Sequence, residues 1–227
     1  MKTRNHDFFN IKNGFTLAEV LITLVIIGVI AALAISPLVN TYVESSTVAK
    51  VKKGLSILGQ AKKLAEVQNG SIEGWDFDGS DTTASAAQFW SYLKPHISLA
   101  KDCGSGTDCY QSDGIYHLDG QRHSVNQNLD TRFYKFILSD GSVMYFRIAY
   151  GGKCSSSEGN VDSKACALFF YDVNGTKAPN TYGRDVFVYV MATDGIYPFL
   201  NNSCRKSSSG ESCVEDIIKH GNMKYLH

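Results

Sequence analysis

The chain is 227 residues long, which leaves room for one membrane segment and one globular domain able to bury its own core. Its 22 basic and 22 acidic residues cancel, so there is no broad positive face for nucleic acid and no sign of a strongly charged substrate. All six cysteines lie beyond the apolar N-terminal stretch, and an even number there points to disulfides outside the cytoplasm rather than to thiols.

Met1 to Gly14 carries Lys2, Arg4 and Lys12 against Asp7, a bias that holds this end on the cytoplasmic side. From Phe15 to Val39 the chain is apolar except for one ionisable side chain, Glu19. A helix needs about 20 such residues to cross a hydrocarbon core, so the run is of membrane length. A carboxylate in lipid is costly, and Glu19 is therefore expected to have a partner and a function. Three fates are open to this segment. A secretory signal would be removed after Ala32-Leu33-Ala34, leaving Ile35 as the first residue; a plain anchor would keep Met1; or the chain is cut before the apolar run and keeps it.

The third fate comes from a resemblance. Lys12-Asn13-Gly14, then Phe15-Thr16-Leu17-Ala18-Glu19, then the apolar run, resembles the processing site of type IV pilins and type II secretion pseudopilins. The resemblance implies that a prepilin peptidase cuts between Gly14 and Phe15 and N-methylates Phe15. It also implies that Glu19 pairs with the terminal amine of a neighbouring subunit during assembly. The partners it implies are copies of this chain and other pilins, the peptidase, an inner-membrane assembly platform and membrane lipid, with no nucleic acid. The implied location is the inner membrane, single-pass with the C-terminal domain outside, and then an extracytoplasmic filament.

Pro37 and Gly28 are weak points in a helix but need not end it. Beyond Asn40, Val43, Val48, Val51, Leu55, Leu58, Ala61 and Ala65 recur at mostly three- and four-residue steps, one buried helical face. Asn69-Gly70 is the stop signal. The division expected is a leader over 1–14, a membrane and filament-core helix over 15–39, its amphipathic continuation over 40–69, and a disulfide-containing sheet domain over 70–227.

Within that domain, 71–83 reads as a loop tacked down by Trp75 and Phe77, and 84–94 as a short helix capped by Thr82 or Thr83 and stopped by Pro95. Phe133 to Leu138 and Val143 to Tyr150 flank Asp140-Gly141, a strong hairpin signal. Ala165 to Val173, Val186 to Ala192 and Ile196 to Leu200 supply further strands, and Val214 to Lys219 a terminal helical turn. The expected fold is α+β and pilin-like: a long N-terminal transmembrane-plus-amphipathic helix packed on an antiparallel sheet of four or more strands. The helix should cover the face bearing Phe136, Leu138, Met144, Phe146, Ile148, Phe187 and Tyr189.

Six cysteines allow fifteen pairings. Sequential pairing is expected, Cys103 with Cys109, Cys154 with Cys166 and Cys204 with Cys213, because each pair brackets a glycine- or serine-rich loop. The absence of C-x-x-C, and of ligand spacing around His96, His117, His123 and His220, argues against zinc. No G-x-S-x-G, Walker or H-E-x-x-H motif is present, so no enzyme is expected. Asp172, Asn174, Asn180 and Asp185 could converge on calcium, but the spacing is not that of an EF-hand, and a solvated Asn-Gly turn is the preferred reading. No cofactor is expected otherwise. The functional expectation is a structural subunit of a type IV pilus or a secretion pseudopilus. The rival is a membrane-anchored or secreted binding domain without a filament.

Overall fold

Uninterrupted helix-forming residues on both sides of Pro37 carry a single helix, α1, over Leu17–Asn69, and it continues through position 37. The computed structural model describes residues 14–109, 114–127, 129–178, 180–201 and 203–227; the leader up to Asn13 lies outside them. The chain divides into two compact units, Met1–Val43 and Glu44–His227. In the first, the large apolar side chains from Phe15 to Val43 are exposed, Leu33 at 74% and Leu38 at 70% among them.

In the second unit α1 buries Thr47, Val48, Val51, Leu58, Ala61, Lys62 and Ala65. The expected stripe is therefore shifted: Val43 is exposed and Leu55 only partly covered. Lys62 lies on the buried face because its ammonium is satisfied there, by Glu66 Oε1 at 2.7 Å and the Thr193 carbonyl at 3.0 Å. Gly70 ends the helix in the left-handed region, at φ +78°.

The sheet is a six-stranded antiparallel meander in chain order: β1 (Leu99–Gly104), β2 (Tyr134–Leu138), β3 (Val143–Ile148), β4 (Ala165–Asp172), β5 (Val186–Ala192) and β6 (Ile196–Pro198). Between β2 and β3, Gly141 takes φ +84° and Asp140 accepts from the Ser142 amide at 3.0 Å. Lys53 of α1 reaches the same carboxylate at 2.6 Å, tying helix to hairpin.

Two short helices flank the sheet. Helix α2 (Thr83–Leu93) is capped by Thr82, whose hydroxyl accepts from the Ser85 amide, and it inserts Phe89 and Trp90, with Trp90 stacked on Phe136 at 4.3 Å. Helix α3 (Cys213–His220) buries Val214 and Ile217. One core lies between these helices and the sheet face carrying Phe136, Met144, Phe146, Phe169, Tyr171 and Tyr189.

The opposite face is buried as well. Tyr145, Leu168, Phe170, Val188 and Val190 pack against Ile115, Phe133 and Tyr182 from the loops. Lys135 points to this side with 0% exposure, donating to the carbonyls of Phe133 at 3.1 Å and of Ser105 and Asp130 at 3.3 Å. Those carbonyls come from the Cys103–Cys109 loop and the approach to β2, so the lysine fastens both.

Gly54 sets how near α1 comes to the sheet. A Cβ there would lie 2.7 Å from the Tyr171 ring and 3.1 Å from the Tyr189 hydroxyl, which itself donates to the Val51 carbonyl at 2.8 Å. Gly54→Ala should therefore destabilise the domain by about 1–2 kcal/mol, overpacking outweighing a gain of about 1 kcal/mol in helix propensity. A lower denaturant midpoint at unchanged slope checks this.

Burial pulls the Lys135 ammonium down to about 8. Because its folded value is below the unfolded one, the unfolded chain holds the extra proton between pH 8 and about 10.4, and stability from this group rises with pH across that window. Relative to Lys135→Met, the wild type should gain about 2 kcal/mol on going from pH 8 to pH 10, read from paired denaturation curves.

Candidate processing and assembly site

Gly14, Phe15 and Thr16 precede the first turn of α1 in non-helical conformation, and all three are exposed, Phe15 at 88%. Among the described residues, a Cβ on Gly14 would meet nothing within 4 Å. Packing among the described residues therefore makes no demand for glycine at position 14.

The first turn is closed by a capping box. The Glu19 amide donates to Thr16 Oγ1 at 3.2 Å, while Glu19 Oε2 accepts from the Thr16 amide at 2.8 Å and the Thr16 hydroxyl at 2.9 Å. Four amides at a helix start lack intrahelical partners, and a carboxylate there also meets the positive end of the helix dipole. Glu19 thus has an intrachain partner that the sequence reading overlooked. The signal was present as Thr16-x-x-Glu19, the spacing of a capping box. Hydrogen bonds do not cancel the charge, and both contacts use the single oxygen Oε2. The site is one where an approaching cation finds an oriented carboxylate beside an exposed, non-helical segment.

The six cysteines form three bridges, Cys103–Cys109, Cys154–Cys166 and Cys204–Cys213, closing loops of 6, 12 and 9 residues in sequence separation. Each bridge fastens a loop to a neighbouring strand or helix: Cys103 lies in β1, Cys166 in β4 and Cys213 at the start of α3. Links of this kind typically contribute about 2–4 kcal/mol.

In the loop between β4 and β5, Asp185 is 4% exposed and burial pushes its carboxyl above the ordinary range. Its Oδ1 accepts from the Thr181 amide at 2.5 Å, and its Oδ2 from the Asn180 amide and Asn174 Nδ2, both at 2.9 Å. Asp172 Oδ1 accepts from the Asn174 amide at 3.1 Å. Two of the residues proposed from sequence, Asn174 and Asn180, are thus gathered around the third, Asp185, but by N–H donors that a cation would have to displace. Asn174 Oδ1 is a buried oxygen without a hydrogen-bond partner, one ligand of the six to eight that calcium takes. Among the described residues no group of three or more His, Cys, Asp or Glu side chains is placed to hold a metal. In this structure the donor set closes the loop.

Residues 10–35 match the family model for the prokaryotic N-terminal methylation motif, a span that includes Gly14, Phe15, Thr16 and Glu19. No curated protein and no solved structure matches the chain. The chain carries the prepilin-type cleavage and methylation segment of type IV pilins and pseudopilins, on a helix long and apolar enough to cross a membrane.

Proposed function

We propose that the chain is a structural subunit, a pilin or pseudopilin, that waits in the inner membrane with its C-terminal domain outside and is then built into an extracytoplasmic filament. One observation carries this reading: the processing motif stands before, not after, an apolar helix whose side chains are exposed from Phe15 to Val43. Cleavage between Gly14 and Phe15 keeps that surface in the mature protein. Lipid covers it first; once the subunit leaves the bilayer, other apolar helices must, which a filament with helices bundled at its centre provides. Three disulfides accord with a domain outside the cytoplasm.

The mechanism is assembly rather than catalysis. The methylated amine of an incoming Phe15 supplies the positive charge that Glu19 lacks, and the pair fixes the axial register between subunits. Partners are further copies and other pilins, the prepilin peptidase and the membrane assembly platform. No metal enters this mechanism, because Asp185 already spends its oxygens on the loop.

The mature protein should begin at N-methylated Phe15 by mass spectrometry; a start at Ile35 or Met1 overturns the reading. Gly14→Val should leave the domain's melting midpoint unchanged yet retain Met1, since among the described residues nothing lies where a side chain at position 14 would begin. Glu19→Ala should be processed and anchored but abolish filaments. Glu19→Gln is the sharper variant, because glutamine preserves the capping box without the charge; filament formation by it, seen by electron microscopy, would show that charge pairing is not what sets register. Finally, calcium and chelator should give melting midpoints within about 2 °C of one another, whereas a bound ion at saturation would raise the midpoint by more.

A further inference from the structure

The chain has no net charge, yet charge is unevenly placed along α1. Between Ser45 and Ala65 the helix carries Lys50, Lys52, Lys53, Lys62 and Lys63 and no acidic residue. Three of these lysines are spent inside the domain: Lys50 donates to the Val173 carbonyl at 2.7 Å, Lys53 pairs with Asp140 at 2.6 Å, and Lys62 pairs with Glu66 at 2.7 Å. Lys52 and Lys63 are exposed and have no ion pair among the described residues. Lys63 follows Lys52 by 11 residues, about three turns, so both stand on one side of α1 roughly 16 Å apart. Beside Lys63, Leu64 and Val67 are exposed at 50% and 78%.

A second surface of the same unit has the opposite character. The loop before β4, the turn between β5 and β6 and the start of α3 enclose an open concavity of about 430 Å³. Asp162, Asp194 and Glu215 line it together with Val161, Tyr197 and Leu200, and among the described residues no lysine or arginine does. Glu215 is already paired with Lys219 at 2.5 Å. Asp162 and Asp194 are exposed and have no ion pair among the described residues. Hydrogen bonds from Ser163 and Tyr197 hold the Asp194 carboxyl below its ordinary range, so it stays ionised.

We propose that the lysine-bearing face of α1 in one copy docks on the acidic concavity of a second copy. The inference rests on the filament reading above and names a contact that the apolar helix does not supply. Complementarity selects the occupant: two unpaired lysines beside exposed Leu64 and Val67 face two unpaired carboxylates beside Val161, Tyr197 and Leu200. A metal ion is the weaker occupant, because among the described residues no group of three His, Cys, Asp or Glu side chains is placed to hold one. The two surfaces are different patches of one chain, so the contact is heterologous and repeats from copy to copy without closing on itself, as an open filament requires. Opposite charges at the rim of such a contact steer the incoming copy and penalise a slipped one, in which like charges meet.

The test is a charge swap in the full chain, with filaments counted by electron microscopy and the N-terminus read by mass spectrometry. Lys52→Glu with Lys63→Glu, and separately Asp162→Lys with Asp194→Lys, should each lower filament number by about tenfold, while processing and the melting midpoint stay those of the wild type. All four changes together should restore filaments to within about threefold of wild type, because the attraction is rebuilt with its sign exchanged. Undiminished filaments in either double variant, or no recovery in the fourfold one, overturn the proposal. Should a reversal variant melt below the wild type, Lys52→Gln with Lys63→Gln decides: fewer filaments support the contact and an unchanged number overturns it. A wild type that is processed but forms no filaments overturns the filament reading and this contact with it, whereas wild-type filaments with unaffected variants overturn the contact alone.

Discussion

The apolar surface running from Phe15 to Val43 cannot stay in water. Burying one such side chain is worth about 1.5–3 kcal/mol, and the segment presents leucine, isoleucine and valine on every side of a helix. That constraint orders the rest. In the proposed subunit a leader removed upstream would leave the surface intact, a bilayer would cover it first, and the C-terminal domain would have to fold without it. The domain satisfies the last condition by beginning its buried helical face only at Thr47 and Val48.

From that point the domain is built for close contact rather than for area alone. Gly54 removes the one side chain that would hold α1 off Tyr171, and the Tyr189 hydroxyl closes on the Val51 carbonyl through the gap. The opposite face of the sheet is enclosed by loops, and loops without regular structure need other means of being held. Disulfides provide some, Lys135 and its three carbonyls another, and the Arg147–Glu158 pair a third.

Much of the fold was legible because periodicity and turn chemistry agreed. The helix, the Asp140-Gly141 hairpin, β4, β5 and the face covered by the helices follow from spacing. Strand β1 was not legible: Leu99-Ala100-Lys101-Asp102-Cys103-Gly104 has no β-branched residue, lies at the edge, and pairs with β2 across two register shifts. The second core was legible only in part. Ala165 to Phe170 and Val186 to Met191 are apolar at nearly every position, the mark of strands covered on both faces. Their cover, however, comes from polar loops whose aromatic residues follow no period. Gly54 was invisible, since its role depends on what faces it. Around Glu19 the residue types were all readable, and the missing step was to see Thr16 and Glu19 as one unit.

That unit bears on how a charged residue can be tolerated at the start of an apolar helix. A buried carboxylate is tolerable when its lone pairs are satisfied and worse than costly when they are not. The capping box satisfies part of that requirement within one subunit, through Oε2, and leaves the net charge in place. In the proposed filament the charge is met by a neighbour's amine, while Thr16 can go on donating. The carboxylate therefore passes from lipid to protein without a stage at which it is stripped of every partner. An isolated acid in the same position would have to lose its remaining water before the amine arrived, which adds a barrier. On this proposal Thr16 lowers that barrier, while the pairing of opposite charges sets the register.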